Sequence, residues 1–217
     1  MLDYKGVKFS WLGHDGFRMT TGGKTVYIDP YKLSKDQHNR KDADIVFISH
    51  NHFDHLSPDD LKHVVGAKTT VVAAKECGAQ LKQLGLDTNL VSPGDRLTVK
   101  DVAIEVLAAY NTNKDFHPKA DGKVGYVMTL AGLRIYHTGD TDVIPEMGSA
   151  KPDVALVPVS GTYVMTADEA AKATDERIKP KMLAIPMHYA SIVGTEDDAR
   201  RFKGLVKSCA VEILSRE

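Results

Sequence analysis

Three histidines and an aspartate fall within six consecutive residues, His50-Asn51-His52-Phe53-Asp54-His55, and no other feature constrains the chain as much. The run follows Ile45-Val46-Phe47-Ile48, a continuous apolar stretch of the kind that forms a strand buried on both faces. It precedes Ser57-Pro58-Asp59-Asp60. There Ser57 can cap a helix, Pro58 suits the first helical position, and the two acids favour the positive end. A loop between a buried strand and a capped helix is where rigid scaffolds present chemistry. In extended backbone, residues 50, 52 and 54 alternate onto one side, so His50, His52 and Asp54 can converge while His55 points elsewhere. Neutral imidazoles and a carboxylate are good ligands for zinc and neighbouring transition metals. The competing reading is a polar surface loop that happens to be rich in histidine.

The elements around this loop predict an α/β chain. Val7 to Trp11, Phe17 to Thr21 and Lys24 to Ile28 read as strands, with Gly22-Gly23 as a hairpin turn. A strand over Thr69 to Ala73 and a helix over about Lys75 to Leu84 follow, then strands at Arg96 to Val99 and Val102 to Leu107. Val124 to Leu130 and Leu133 to His137 form a second hairpin, and Val154 to Val157 another buried strand. Thr166-Ala167-Asp168-Glu169 is a capping box opening a helix that Pro180 closes. Met182 to Ile185 is a strand ending at Pro186-Met187-His188, and Thr195 opens a last helix to about Lys207. Strands precede helices in each half with no low-complexity linker. This pattern predicts one domain over residues 1–217, two sheets packed face to face with helices outside. The halves share an element order without an obvious sequence repeat.

Composition narrows the class. Lys plus Arg number 28 against 29 Asp plus Glu, a formal charge of -1, so general nucleic-acid binding through counterion release is not expected. The two cysteines, Cys77 and Cys209, form no C-x-x-C pair, and a reducing cytoplasm is the expected location. The N-terminal residues lack the basic start and apolar stretch of a signal peptide, and no segment approaches the roughly 20 apolar residues that span a bilayer.

The motif His50-x-His52-x-Asp54-His55 resembles the signature of the metallo-β-lactamase superfamily of hydrolases. The resemblance extends over roughly Phe9 to Tyr189, through Trp11-Leu12-Gly13-His14, Ile28-Asp29-Pro30, Thr138-Gly139-Asp140-Thr141 and Pro186-Met187-His188-Tyr189. Within the superfamily the chain is most similar to small prokaryotic hydrolases related to lactonases of phosphorylated ascorbate. The resemblance implies a four-layer αββα sandwich holding two divalent metal ions. Zinc is the expected metal, with manganese, iron or nickel as alternatives. It further implies that His50 and His52 bind the first ion, Asp54, His55 and His188 the second, and Asp140 both. The first ion's third histidine departs from the commoner pattern, because the loop Tyr110 to Pro118 is longer. His117, the one histidine between His63 and His137, is the economical candidate; substrate contact or stacking within the loop are its competing roles.

Read from the residues themselves, Asp140 and His188 each follow an apolar strand, the same kind of position as His50. Asp29 is either a carboxylate orienting a metal-bound histidine or a turn residue before Pro30. His14 is either substrate-facing, an orienting group or an ordinary loop histidine. His137 is expected to be structural, His38 and His63 to lie on the surface, and Asp142 to be solvated past the Gly-Asp-Thr motif.

Metal ions bring bound water to ionise near neutrality, so the expected activity is hydrolysis of an ester, lactone or phosphodiester by metal-activated hydroxide, held beside Asp54 or Asp140 as the catalytic carboxylates. The substrate is expected to be a small molecule, with an anionic or phosphorylated one in view. Ser160-Gly161-Thr162-Tyr163 offers hydroxyls and N–H groups for such an anion, and Tyr189 could donate to an oxyanion, although both have packing roles as alternatives. No Gly-x-Ser-x-Gly elbow supports a serine nucleophile. A metal-retaining binding protein and a nuclease of the same fold are the competing functions, a diiron redox role is disfavoured by His52, and assembly into homo-oligomers stays open.

Overall fold

The computed structural model describes all 217 residues, Met1 to Glu217. The first half forms one seven-stranded sheet in sequence order: β1 (Leu2–Tyr4), β2 (Val7–Gly13), β3 (Gly16–Thr21), β4 (Lys24–Ile28), β5 (Ala43–Ile48), β6 (Val65–Ala74) and β7 (Thr88–Val91). The second half forms another: β8 (Arg96–Val99), β9 (Val102–Ala108), β10 (Val124–Leu130), β11 (Leu133–His137), β12 (Val154–Pro158), β13 (Leu183–Met187) and β14 (Ala210–Val211). In each sheet the first four strands pair antiparallel and the last three join in parallel. The two halves therefore share a topology, not only an element order.

The parallel strands explain the loops. A parallel pair needs a crossover, and the crossovers carry α1 (Pro58–Val64), α2 (Gly78–Gln83), α3 (Ala167–Ala173) and α4 (Glu196–Leu205). Ser57 caps α1 by accepting from the Asp60 N–H, and Thr166 and Glu169 close a capping box on α3. The helix expected over Lys75 to Leu84 is shorter, a 3₁₀ turn at Lys75–Cys77 followed by α2. The helix expected to reach Pro180 widens into a π turn at Thr174–Ile178, where the Thr174 hydroxyl bonds the Ala170 carbonyl, and stops at Lys179 in a left-handed conformation. No helix is long and apolar enough to cross a membrane.

The sheets pack face to face. Strands β5, β12 and β13 are buried along nearly their whole length, as their unbroken apolar sequences predict. Tyr126 on β10 reaches across to donate to the Ile48 carbonyl at 2.8 Å, and its ring meets Phe47 of β5 at 4.9 Å. That contact fixes the end of β5, from which the histidine loop departs. On one outer face, α3 and α4 pack on each other and on β12 and β13. Both cysteines are free.

Candidate metal centre

Corresponding loops of the two halves meet at one end of the sandwich. The β2–β3 turn brings His14 and Asp15, the residue after β4 is Asp29, and the loop after β5 carries His50 to His55. From the other half come His117 on the β9–β10 loop, Asp140 after β11 and His188 after β13. Four of these residues, His14, Asp29, His117 and His188, sit at positive φ (53°, 41°, 58° and 57°). Left-handed backbone costs a non-glycine residue on the order of 1–3 kcal/mol, and such strain concentrates where geometry serves a site. Two glycines let Asp140 approach. A Cβ on Gly139 would lie 2.6 Å from the Val124 carbonyl, and one on Gly125 2.5 Å from the Thr138 carbonyl.

All seven residues singled out as ligands converge, in two groups that share Asp140. In the first, His52 Nδ1 lies 3.1 Å from His50 Nε2 and 3.2 Å from His117 Nε2. Asp140 Oδ2 is 3.5 Å from His117 Nε2 and 3.9 Å from His50 Nε2. In the second, the same oxygen is 3.3 Å from His188 Nε2 and 3.5 Å from His55 Nε2, which is 3.9 Å from Asp54 Oδ2. An ion bound at roughly 2.0–2.2 Å holds neighbouring donor atoms roughly 3–3.5 Å apart. The spacings are near that range.

The other ring nitrogen of four of these histidines is held. His55 Nδ1 donates to Asp29 Oδ2 at 2.9 Å, His50 Nδ1 to Ser49 Oγ at 2.9 Å, His188 Nδ1 to Ser160 Oγ at 2.8 Å and His117 Nδ1 to the Tyr163 carbonyl at 3.2 Å. Each bond occupies Nδ1 and turns Nε2 inward, the ring orientation a metal ligand needs. Asp29 also accepts from the Ser49 N–H at 2.8 Å and hydroxyl at 2.5 Å, so it orients the loop as well as His55. Of its two readings, the orienting carboxylate fits. At the centre, His55 Nε2 and Asp140 Oδ1 are buried without any hydrogen-bond partner. Orphaned polar atoms on facing side chains are what a cation would satisfy.

The electrostatics differ within the site. Burial holds the His50, His52 and His117 imidazoles below the ordinary histidine range, so they are neutral donors near pH 7. His55 is buried too, but the carboxylates of Asp140 and Asp29 outweigh burial and push it up. Burial pushes Asp54 up as well, yet the hydrogen bond from His14 and the charge of His55 bring it down to about 2. His14 itself is lowered to about 4 by burial, and its Nε2 donates to Asp54 Oδ2 at 3.0 Å. His14 is thus an orienting group.

Other expectations are corrected. Asp142 is not solvated: it is buried, accepts from the Thr112 and Asn113 N–H groups at 2.8 and 3.3 Å and pairs with Lys114. It anchors the loop that carries His117. The Gly161 N–H is spent on the Met165 carbonyl at 3.0 Å and Ser160 on His188, so this turn is occupied with structural work. Tyr189 is buried and stacked on Trp11 at 4.6 Å, a packing role. His137 is structural, bonded to the Asp15 carbonyl at 3.0 Å, and His38 stacks on His63 at 4.0 Å away from the site. Asp15 went unremarked in the sequence because Asp-Gly between strands reads as an ordinary hairpin turn.

A cavity of about 510 Å³ opens above the cluster. Its floor includes His52, Asp54, Asp140 and His188, and its walls include Phe53, Phe116, Tyr163 and Ile192, with no lysine or arginine. Phe53, Phe116 and Ile192 are 68%, 50% and 38% exposed, unusual for side chains of this kind.

Fold and donor set together define the class of metal-dependent hydrolases with the metallo-β-lactamase fold. The Beta-lactamase superfamily domain matches residues 8–188, and the chain belongs to that superfamily. It is 31% identical to the UPF0173 metal-dependent hydrolase of Thermoplasma acidophilum, over 97% of this chain and 96% of that one. Among solved structures, the metallo hydrolase Igni18 of Ignicoccus hospitalis matches with a TM-score of 0.75 at 25% identity, covering 96% and 95% of the two chains. The diiron β-hydroxylase CmlA of Streptomyces venezuelae shares the fold at a TM-score of 0.76 but only 15% identity, over all of this chain and 54% of that one. Fold alone therefore does not choose the chemistry; the residues of the site must.

Proposed function

We propose that this enzyme holds two divalent ions, the first by His50, His52 and His117, the second by Asp54, His55 and His188, with Asp140 between them, and that it hydrolyses a neutral ester or lactone bearing an apolar group. The observation that carries the reading is the pair of inward-facing donor groups sharing Asp140 Oδ2, with buried donor atoms left unpartnered. Ions bound there would supply water ionised near neutral pH and a positive charge facing the developing oxyanion. The chain's own residues do the rest. Asp29, Ser49 and Ser160 hold the ring nitrogens of His55, His50 and His188 in the ligating tautomer. Asp54, kept ionised and turned by His14, stands at the cavity floor as an acceptor for the proton of the attacking water.

The substrate class follows from the walls. An apolar cavity without a cation favours an uncharged acyl compound over a phosphodiester, because phosphate recognition calls for arginine, lysine or free N–H groups. Lys123, the nearest buried amine in sequence to the loop, is engaged by Glu76 at 3.0 Å and Asp121 at 3.5 Å. The same lack of lining cations, with the net charge of -1, disfavours a nuclease. Zinc is the ion we expect in the nitrogen-rich first pocket.

The test is a panel of aliphatic and aromatic esters, lactones, thioesters and phosphodiesters, assayed before and after chelation and after adding back zinc, manganese, iron or nickel. The expected result is ester or lactone turnover that vanishes with chelator and returns with metal. Phosphodiester turnover alone would reverse the substrate assignment, and chelator-resistant turnover would remove the metal from the chemistry.

A further inference from the structure

Asp15 is the least explained polar residue in the molecule. The turn between β2 and β3 inserts it beneath the second donor group, fully buried, and neither carboxylate oxygen has a hydrogen-bond donor within reach. Burying a carboxylate without a partner is costly, so a chain that does it needs something to satisfy it. The surrounding donors are spent elsewhere. His55 Nδ1 is given to Asp29, His188 Nδ1 to Ser160, and His137 Nε2 to the backbone carbonyl of Asp15 rather than its side chain. What Asp15 does face is His55 Nε2, 3.7 Å from its Oδ2 and itself unpartnered. One donor atom each from His14, Asp15, His55 and His188 lies within 4.8 Å of all the others.

Two things can satisfy such a group: a proton shared with the neighbouring Asp140 carboxylate, or a cation shared with the donors it faces. The convergence of four donor atoms favours the cation, because His55 Nε2 at 3.7 Å lies beyond hydrogen-bond reach of the carboxyl but suits a second ligand of one ion. We propose that Asp15 is a further ligand of the second ion, the one assigned above to Asp54, His55, His188 and Asp140; the inference rests on that two-ion reading. The second pocket then offers three carboxylates and two imidazoles, whereas the first offers three imidazoles and a share of Asp140. Oxygen donors suit harder ions such as manganese, so the two pockets would differ in metal preference. Asp15, Asp54 and Asp140 would also leave two dications with a single excess positive charge, which one hydroxide cancels. A neutral centre of this kind agrees with the cation-free, apolar cavity above it.

Asp15→Asn separates the possibilities, since an amide copies the shape of a protonated carboxyl but binds metal poorly. The probes are zinc and manganese, titrated calorimetrically into chelator-stripped protein, with bound metal counted after dialysis. Thermal melts follow the stripped and loaded forms. The expected result is two ions in the wild type and, in Asp15→Asn, a second ion weakened tenfold or more, with the greater loss for manganese. The melts should change in opposite directions: the stripped variant melts at or above wild type, because an unpaired buried carboxylate is gone, while the gain on adding metal shrinks. If Asp15 only holds a proton, the amide replaces it harmlessly and both ions bind as in the wild type, which overturns the proposal. Should the amide fail to fold, Asp15→Ser is carried through the same titration. A wild type that takes up a single ion would overturn the two-ion reading, and Asp15 would then stand or fall on whether Asp15→Asn weakens that ion.

Discussion

The two donor groups on either side of Asp140 are built from opposite materials. The first is three imidazoles, and burial keeps all three neutral. The second gathers carboxylates around His55, whose proton those same carboxylates hold on to. The first depends on a long excursion, the β9–β10 loop bearing His117, tied down by Asp142. The second hangs on residues placed directly by strand ends and a tight turn, locked by Asp29, Ser49 and Ser160. Nitrogen donors on a tethered loop and oxygen donors on rigid backbone make two pockets that should be separable by experiment.

Asp140 is where they cannot be separated, and its loss should be the largest effect. Asp140→Asn keeps one acceptor oxygen but removes the charge facing both groups. Turnover should drop by two or more orders of magnitude, with both ions weakened. If calorimetry shows only one ion affected, Asp140 belongs to one pocket and the comparison is drawn at the wrong residue.

Asp29→Asn should strike the second pocket alone. It leaves one acceptor oxygen where His55 Nδ1 and the Ser49 N–H use two and removes the charge facing His55, a change of the kind that lowers metal affinity by about 10–100-fold. The first ion should bind nearly as before; equal loss at both would mean that Asp29 acts through Ser49 on the whole loop.

Metal-free protein should show the contrast in its pH dependence. His50 has its folded pKa lowered, so the unfolded chain takes up its proton first. The stability His50 contributes is present above about pH 6.5 and is lost as pH falls below it. His55 has its folded pKa raised, so its contribution is present below about pH 6.5 and is lost as pH climbs through the raised value. Melting of stripped His50→Gln should therefore lose less between pH 7 and 5 than wild type, and His55→Gln less between pH 7 and 9, each by a few °C on the order of 1 kcal/mol. Parallel curves for the two variants would erase the distinction.

Asp142→Asn should cost less again, about 1 kcal/mol, because the amide still accepts from the Thr112 N–H and only the Lys114 charge is left unmatched. The effect on metal should be a several-fold weaker first ion and an unchanged second. A silent mutant would return Asp142 to the solvated role its position after Gly-Asp-Thr suggested.

That misreading shows where sequence stopped being informative. The histidine loop was legible because a buried strand, a helix cap and an alternating ligand pattern all fall within one short window, from Ile45 to Asp60. Asp140 and His188 were legible as polar residues at the ends of apolar strands. The partners of Asp142 lie about 30 residues away on a loop with no periodicity, and nothing local announces them. Asp15 was hidden by its own neighbour, since Asp-Gly is as good a turn as it is a ligand site. Strands β1, β7 and β14 escaped notice because they are short and largely exposed at sheet edges, where the alternation that marks a half-buried strand is weak.

The smallest effect on metal should come from the residue lying between the two pockets in sequence. Phe53 is flanked by His52 of the first group and Asp54 of the second, yet its ring is 68% exposed at the cavity wall and rests edge-on against Tyr31 at 5.9 Å. Phe53→Ala should leave both ions at wild-type affinity, because the ring makes no hydrogen bond to any donor and the loop backbone is held instead by Glu76, which accepts the Asn51 N–H at 3.1 Å. What it should change is substrate binding. Losing some 40 Å² of apolar contact at about 25 cal/mol per Å² removes about 1 kcal/mol, so KM for an apolar ester should rise roughly fivefold. Because the wall holds ground state and transition state alike, kcat should stay put. A phosphodiester, having nothing to pack there, should show no change in KM. If instead metal binding falls in both pockets, the ring is holding the loop in shape, and the wall and the metal groups are one unit rather than two.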